Sequence, residues 1–269
     1  MTAATNQHYD LDPELFARFL DPLRKYSSGL FEADVTTLEQ AQRRKLSFVA
    51  GQLRLMGGER LLDVGCGWGS LLLFMAKEYG CRVTGISPAA NQHEYIASRV
   101  SALGLEKLVT TEVASFETYE PQARGYDAVT MLGSVVHIPD LDAVFAKIRR
   151  ALRPRGRLYL SESCFRNAAI RDGFDERPGT EFVRNSIFGN GELRPLSELV
   201  AGAESAGFSV SAVHDLTDDY RRTIDCWIDN LRAQPESPQR ADLMHYLEIA
   251  NAGWGYTTKH YALVCSKTR

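Results

Sequence analysis

The sequence has few of the features that mark metal, redox, nucleic-acid or membrane proteins. Its five cysteines are odd in number and scattered, with no C-x-x-C pair, so they predict reduced thiols rather than a zinc or redox site. The formal net charge is only −3, and no long run of like charges is present, which argues against a nucleic-acid partner. No window approaches the roughly 18 apolar residues of a membrane span. The N-terminus lacks a basic and apolar leader, so we expect a cytoplasmic protein without a transmembrane segment.

Short apolar runs alternate with helical stretches from Arg60 onward. The runs that predict strands are Leu61–Val64, Arg82–Ile86, Val109–Val113, Tyr126–Met131, Leu158–Leu160, Ser209–Val213 and Tyr261–Val264. The helices between them are predicted at Ser70–Tyr79, Ala89–Leu103 and Leu141–Leu152, with Gly80 and Gly104 as C-terminal stops. This alternation predicts parallel βαβ units and an α/β, doubly wound Rossmann-like sheet. Two earlier helices, one opening at Asp12-Pro13-Glu14 and one from Thr37 to Leu55, could cap the sheet.

The strongest functional signal is Leu-Leu-Asp-Val-Gly-Cys-Gly-Trp-Gly at residues 61–69. An apolar strand runs into Gly65, Gly67 and Gly69, and a helix follows. Glycines at such a turn let the backbone bend sharply and approach a ligand that a Cβ would exclude. Asp63, just before the turn, supplies a carboxylate suited to a cationic group such as a methionyl amino group. The turn therefore predicts the floor of a cofactor site at the carboxyl ends of the strands.

The turn has two other interpretations. A tight turn without a ligand is the first. The second is a dinucleotide site, but the spacing is G-x-G-x-G rather than G-x-G-x-x-G. The second strand also ends in Gly85-Ile86-Ser87, without the acid that would hold an NAD ribose. The missing acid also departs from many methyltransferases, so it argues against a nicotinamide cofactor more than it establishes S-adenosylmethionine.

Several segments together resemble the cyclopropane synthases that act on mycolic and phospholipid acyl chains, a family of S-adenosylmethionine-dependent methyltransferases. The similarity covers nearly the whole chain. It rests on His8-Tyr9-Asp10-Leu11, Tyr26-Ser27 with Gly29-Leu30-Phe31-Glu32, Thr37-Leu38-Glu39-Gln40-Ala41-Gln42, Leu62-Asp63-Val64-Gly65-Cys66-Gly67-Trp68-Gly69, Asn91-Gln92, and Tyr220 with Thr223 and Trp227.

The resemblance implies a class I methyltransferase fold and a set of cofactor contacts. Tyr26 and Ser27 would close over the cofactor, Gly65 to Gly69 would cradle its methionine portion, and Gln92 would reach its ribose. The family's Trp-Glu pair near the adenine falls at Ala114-Ser115. The full predicted cofactor set is Tyr26, Ser27, Asp63, Gly65, Cys66, Gly67, Gly69, Ser87, Gln92, Ala114 and Ser115.

The sequence departs from the family at the positions that hold the catalytic bicarbonate ion. Family members hold a bicarbonate ion, thought to act as base, with a cysteine, a Glu-His pair, a later histidine and a tyrosine. Here the corresponding residues are Ser28, Val136-His137, Ser161 and Tyr220. Only His137 and Tyr220 match, and cyclopropanation needs a base to remove a proton after methyl transfer. The chain is therefore interpreted as a divergent member lacking most of the bicarbonate site.

Three residues are the candidates for catalysis. Glu162 follows the fifth strand, where a partly buried glutamate can be tuned to accept a proton near neutral pH, although a helix cap or a salt bridge would also explain it. His137 could act catalytically, stack near the cofactor or cap Asp140. Tyr220 could orient the acceptor or simply pack.

Aromatic side chains are expected to line a dry acceptor pocket and to stabilise positive charge through their π faces. The candidates for acceptor binding are Tyr9, Phe31, Phe182, Trp227 and Trp254. We predict methyl transfer to a small apolar, aromatic or lipid-like acceptor, with C-methylation favoured over N- or O-methylation. The alternatives are a cyclopropane-fatty-acid-type synthase on unsaturated acyl chains, a non-catalytic cofactor-binding or interaction protein, and a nucleotide-dependent oxidoreductase.

The chain length is sufficient for one large α/β domain. We predict a single methyltransferase domain over 1–269, with an N-terminal helical cap at 1–57 and a cofactor-binding core at 58–162. A lid insertion is predicted at 163–195, because this stretch is too long for an ordinary connection. The C-terminal part of the core follows at 196–269. The sequence predicts no metal site and leaves the oligomeric state open.

Overall fold

A computed structural model describes residues 13–174 and 191–268. Its helices are α1 Pro13–Phe19, α2 Leu38–Leu53, α3 Ser70–Tyr79, α4 Ala90–Leu103, α5 Leu141–Ala151, α6 Ala168–Asp172, α7 Leu196–Ser205, α8 Thr217–Arg232 and α9 Pro238–Gly253. Its strands are β1 Arg60–Val64, β2 Arg82–Ser87, β3 Val109–Val113, β4 Tyr126–Leu132, β5 Leu152–Phe165, β6 Arg194–Pro195, β7 Phe208–Asp215 and β8 Thr258–Lys267. A short 3-10 turn, Val135–His137, follows β4.

The local signals in the sequence explain where several helices begin and end. Thr37 caps α2, with its hydroxyl accepting from the Gln40 N–H at 3.2 Å while the Gln40 side chain accepts from the Thr37 N–H. α3 and α4 end at Gly80 and Gly104, whose φ angles of 64° and 67° lie in the left-handed region that favours glycine. The predicted stops are therefore confirmed.

The strands form one sheet in the order β3-β2-β1-β4-β5-β8-β7, with the short β6 paired to β5. β1 to β5 pair in parallel, which confirms the predicted α/β doubly wound sheet. β8 is the exception, because it runs antiparallel to both β5 and β7. Hydrophobic periodicity carries no information about strand direction, so the prediction of parallel units fails for this strand.

The reversal of β8 determines where α8 and α9 lie. An antiparallel neighbour needs no crossover along the sheet, so the chain that leaves β7 returns into β8 at the same edge, which is the edge formed by the carboxyl ends of β1, β4 and β5. Apolar residues of α8 and α9 pack there against α1 and the glycine turn, through Phe16, Trp68, Trp227 and Leu247. These two helices cover the edge of the sheet at which doubly wound sheets bind ligands.

The division of the chain into cap, core and lid stays a prediction, and part of the predicted lid, residues 175–190, lies outside the described residues. Every helix in the described ranges is too short or too polar to cross a membrane. The expected cytoplasmic location also stays a prediction.

Candidate active site

The glycine turn between β1 and α3 has an open side. Gly65, Gly67 and Gly69 all have positive φ, at 77°, 53° and 80°. A Cβ added to Gly65 would lie 2.6 Å from the Ser134 Cβ, and one added to Gly69 would lie 2.6 Å from Ile96, so these two positions are closed by packing. A Cβ on Gly67 would meet nothing within 4 Å. Open space therefore lies beside Gly67, where a side chain would extend into it; contact of this space, called the cradle below, with the methionine portion of S-adenosylmethionine stays a prediction.

The residues predicted near the ribose and adenine meet at the carboxyl ends of β2 and β3. The Ser87 hydroxyl donates to the Gln92 Oε1 at 2.8 Å, and the Ala114 N–H donates to the Ser87 carbonyl at 3.1 Å. Ser115 lies directly after Ala114, and its Oγ is 3.1 Å from the Thr118 Oγ1. Ser87 therefore links Gln92 to the segment after β3. Contact of these residues with a cofactor stays a prediction.

Asp63, near the end of β1, and Cys66, within the glycine turn, are both buried. The Asp63 carboxylate accepts from the Thr130 hydroxyl at 2.8 Å. Burial raises the pKa of Asp63, and the nearby Lys25 ammonium opposes that rise. Burial also raises the pKa of the Cys66 thiol, which makes a reactive thiolate unfavourable. The predicted contact between Asp63 and a methionyl amino group stays a prediction.

Tyr26 and Ser27 lie between α1 and α2 and are held from two sides. The Tyr26 ring packs against Trp227 of α8, with the ring centroids 5.1 Å apart. Ser27 is buried, and its hydroxyl and carbonyl accept hydrogen bonds from Lys45 and Gln42 of α2. Both residues line the same cavity.

This cavity, called the acceptor cavity below, has a volume of about 220 Å³ and lies at the carboxyl edge of the sheet. Its aromatic lining comprises Tyr26, Tyr220, Trp227, Tyr246, Trp254 and His260, and its polar lining includes Ser27, His137, Glu162 and Ser163. Gly133, at the end of β4, also lines it, and a Cβ at Gly133 would meet nothing within 4 Å. Open space therefore exists at both Gly67 and Gly133.

The predicted acceptor residues are brought together only in part. Trp227 and Trp254 both line the acceptor cavity. Phe31 does not: its N–H donates to Asp219 at 2.6 Å, and the Arg222 guanidinium lies over its ring at 4.3 Å. The aromatic pattern could not distinguish this surface contact from a cavity wall. Tyr9 and Phe182 lie outside the described residues.

Glu162 is held at the wall of the cavity by the backbone. Its Oε2 accepts from the Val136 N–H at 3.1 Å and its Oε1 accepts from the Ser163 N–H at 2.9 Å. The Val135 backbone adds a third hydrogen bond, so at least one lone pair of the carboxylate is left. Glu162 is 5% exposed, and burial raises its pKa to about 7, against the opposing effects of these backbone bonds and of Arg194. The carboxyl group is therefore fixed in place and titrates near neutral pH.

The other two catalytic candidates also border this cavity. His137 is at the rim and exposed to solvent, and partial desolvation lowers the pKa of its imidazole. Tyr220 packs against the Trp254 ring at 5.0 Å and edge-on against Trp227 at 6.0 Å. Tyr220 thus belongs to the aromatic wall.

Sequence reasoning missed His260. It is buried, its ring centroid is 4.7 Å from that of Tyr220, and its Nδ1 is 3.4 Å from the Ser163 Oγ. Burial and the nearby Lys45 lower its pKa to about 3, so the ring is neutral at physiological pH. The predicted strand began at Tyr261, and only the antiparallel direction of β8 brings its first residues to this edge. A polar residue at the start of an apolar strand was the available signal.

Three of the positions expected to hold bicarbonate, Ser28, Val136 and Ser161, carry no ionisable side chain. The Ser28 hydroxyl donates to the Gly29 carbonyl at 2.8 Å, and the Ser161 carbonyl accepts from the Gly133 N–H at 2.8 Å. Val136 contributes its backbone N–H to Glu162. Among the described residues, no cluster of His, Cys, Asp or Glu side chains could hold a metal ion.

The sequence model of one family, described as mycolic acid cyclopropane synthetase, matches residues 1–254. The chain belongs to this family. A probable fatty acid methyltransferase of Pseudomonas putida is 34% identical over 234 residues, which cover 86% of this chain and 58% of that protein. The S-adenosylmethionine-dependent methyltransferase UmaA of Mycobacterium tuberculosis is 28% identical over 258 residues, covering 93% of this chain and 88% of UmaA.

Solved structures of the mycolic acid cyclopropane synthetase family have the same fold. The mycolic acid cyclopropane synthase CmaA1, complexed with SAH and CTAB, superposes with a TM-score of 0.86 and 27% identity, covering 96% of this chain and 95% of that chain. The resemblance to cyclopropane synthases, the methyltransferase class and the S-adenosylmethionine cofactor are therefore confirmed. The chain spans only 58% of the length of the Pseudomonas putida relative.

Proposed function

We propose that this chain transfers the methyl group of S-adenosylmethionine to a carbon atom of an apolar, lipid-like acceptor, and that Glu162 accepts the proton released afterwards. The observation that supports this most is the carboxylate of Glu162, which is buried in the wall of a cavity rich in aromatic side chains and has a pKa of about 7. An ionisable group tuned to the working pH is what general base catalysis requires.

The residues around the glycine turn bind the cofactor in this proposal. The open cradle at Gly67 and the space at Gly133 leave room for its methionine end, and Ser27 lies beside that space. When bound, S-adenosylmethionine supplies an electrophilic methyl group. The protein's task is then to hold an acceptor carbon in line with that methyl group in a dry pocket.

The aromatic walls stabilise the charge that methyl transfer produces. When one carbon of a double bond bonds to the methyl group, S-adenosylhomocysteine would leave as the S–CH3 bond breaks, and the other carbon of the former double bond would carry a positive charge. The stacked rings of Tyr220 and Trp254, at 5.0 Å, present π faces that attract such a charge. His260 does not repel this positive charge, because its pKa of about 3 keeps the imidazole neutral.

Glu162 removes the proton that neutralises this cation. Its pKa of about 7 gives a mixture of ionised and protonated forms at neutral pH, whereas His260, with a pKa of about 3, is too weak a base. A positioned general base contributes roughly 10²- to 10⁴-fold in rate. The origin of the proton decides the product: loss from the transferred methyl group closes a cyclopropane ring, and loss from an adjacent carbon gives a methyl-branched alkene.

The names of the relatives support a lipid-like acceptor. One relative is a probable fatty acid methyltransferase, and CmaA1, a mycolic acid cyclopropane synthase, has a crystal structure complexed with SAH and CTAB. The volume of about 220 Å³ lies below the roughly 300 Å³ at which pockets for drug-sized ligands begin. The cavity therefore suits a compact reacting segment of an acceptor.

Product analysis with a trideuteromethyl cofactor tests the proposal. The protein is incubated with unsaturated acyl lipids, prenyl compounds and aromatic amines, and the products are analysed by mass spectrometry. A methylated alkene that retains all of the transferred deuterium supports the proposal, and a cyclopropane lacking one deuterium identifies the alternative synthase. Methylation confined to the amines, or cofactor binding without product from any class, contradicts C-methylation.

A further inference from the structure

α2 directs two buried polar side chains, one turn apart, at a single residue of the site. The Gln42 Nε2 donates to the Ser27 carbonyl at 2.7 Å, and the Lys45 Nζ donates to the Ser27 hydroxyl at 2.9 Å. Both side chains are buried, and Lys45 is only 3% exposed. Positions 42 and 45 share one face of the helix. Ser27 is therefore held at both its backbone and its side chain by the same helix.

The bond from Lys45 decides what the Ser27 hydroxyl can do. A hydroxyl has one proton to donate and can also accept hydrogen bonds. Because the Lys45 ammonium has only protons to donate, Ser27 Oγ accepts from it and keeps its own proton for another acceptor. No hydrogen bond from this hydroxyl to a described residue is present, and Ser27 lines the acceptor cavity. The hydroxyl is thus a donor, polarised by a buried cation, at the wall of the site.

Lys45 lacks a direct ion pair with any described carboxylate. The charged and titratable groups that act on it are Lys25, Asp21, Asp63 and His260. Desolvation and the like charge of Lys25 lower the pKa of Lys45, while Asp21 and Asp63 oppose this effect. An anion at the Ser27 hydroxyl would compensate a buried cation that is otherwise satisfied only in part.

We propose that Lys45 is a positioning residue that acts through the Ser27 hydroxyl to select the carboxylate of the methionyl end of S-adenosylmethionine. The donor at Ser27 and the cation behind it match a carboxylate, which is the one anionic group of this cofactor. The inference rests on the proposed placement of the methionyl end beside Ser27 and Gly67. It goes further in assigning the selectivity to a residue of α2 that need not touch the cofactor.

The test compares two ligands that differ only in this carboxylate, S-adenosylmethionine and its decarboxylated analogue. Their affinities are measured by calorimetry, without an acceptor, for the parent, Lys45→Met, Ser27→Ala and the double variant. A hydrogen bond to a charged group has a worth that corresponds to roughly 10- to 100-fold in affinity. We expect each single variant to lose that factor for S-adenosylmethionine and about twofold or less for the analogue. The double variant should lose no more than either single one, because the two residues act in series.

Gln42→Leu is the matched control. It removes the other bond from α2 to Ser27, at the backbone carbonyl, and leaves the Lys45 bond to the hydroxyl intact. If α2 only supported the Ser27 segment, this variant and Lys45→Met would weaken both ligands alike. We expect Gln42→Leu to affect the two ligands equally and only Lys45→Met and Ser27→Ala to reduce the preference for the carboxylate.

The outcomes separate this inference from the proposed site. If the parent binds both ligands equally, or if Lys45→Met and Ser27→Ala weaken both equally, the role of Lys45 is overturned while the glycine cradle stands. If the parent binds neither ligand, the proposed cofactor site and this inference both fail. Should Lys45→Met not fold, Ser27→Ala decides, because a small hydroxyl deletion that leaves the preference intact contradicts the proposal.

Discussion

The Glu162 carboxylate of β5 accepts a hydrogen bond from the Val136 backbone N–H at 3.1 Å, which joins β5 to the turn after the neighbouring strand β4 in the wall of the acceptor cavity. Val136 stands at the position where the family resemblance implies a glutamate. In this chain the carboxylate at that point comes from β5, and the backbone of the 3-10 turn holds it. Val136 follows β4 and Glu162 lies in β5, but both line the acceptor cavity.

Because Glu162 supplies the carboxylate and position 136 is a valine, we predict that turnover does not depend on bicarbonate. Ser28, Val136 and Ser161 offer no charged side chain to hold that anion, and Glu162 would repel it when ionised. Turnover in carbonate-depleted buffer should match turnover in carbonate-replete buffer. A saturable requirement for bicarbonate would contradict this prediction and favour the cyclopropane synthase interpretation.

Gly67→Ala is predicted to weaken S-adenosylmethionine binding by at least about tenfold, since its Cβ would occupy the open cradle. Gly80→Ala is the matched control: Gly80 also has positive φ and open space around a Cβ, but it ends α3 away from the site. Both variants should lose about 1–2 kcal/mol of stability from the left-handed backbone. Calorimetry that found equal affinities for the two variants would remove Gly67 from the cofactor site.

The raised pKa of Glu162 predicts a pH-dependent stability. In the unfolded chain this carboxyl ionises near its ordinary pKa of 4.5, whereas in the folded protein it keeps its proton up to about pH 7. The folded state therefore binds more protons in this window, and the free energy of unfolding falls as pH rises from about 4.5 to about 7. The ionisation of buried Glu162 thus carries a stability penalty. This penalty is absent below about pH 4.5 and reaches its full value, up to about 3 kcal/mol of unfolding free energy, above about pH 7.

Glu162→Gln lacks this penalty, so the variant should gain stability relative to the parent between about pH 5 and about pH 8. Urea unfolding at both pH values measures the change, and Glu94→Gln, at an exposed glutamate, serves as control. A stability difference between parent and Glu162→Gln that does not change with pH would show that the carboxyl is not perturbed.

Most of the fold could be predicted because its signals are local. The strands from β1 to β5 and the helix stops at Gly80 and Gly104 follow from periodicity and glycine chemistry. The direction of β8 could not be predicted, since alternation reports which side of a strand is buried and not which way it runs. The position of α8 and α9 over the sheet edge depends on that direction.

Site residues that are close together in the sequence could be predicted, whereas those brought together from distant segments could not. The glycine turn is one contiguous segment, and the structure brings the candidates Glu162 and His137 to one cavity, while their catalytic roles stay predictions. His260 was missed because it reaches the cavity only through the reversed strand β8. Phe31 was misplaced because its ring packs beneath Arg222 at the surface, a contact between distant segments that composition does not reveal.

The pH dependence of kcat/KM tests most directly the claim that Glu162 is the proton acceptor. For the parent, kcat/KM should rise with pH through about 7 and then level off, because only the ionised carboxylate accepts a proton. Glu162→Gln should lose roughly 10²- to 10⁴-fold at high pH, show no such rise and keep the parental affinity for S-adenosylmethionine. His260→Gln, on the neighbouring strand β8, should keep the rise, since the pKa of His260 is about 3. A Glu162→Gln variant with near-parental kcat/KM and an unchanged pH profile would contradict the account.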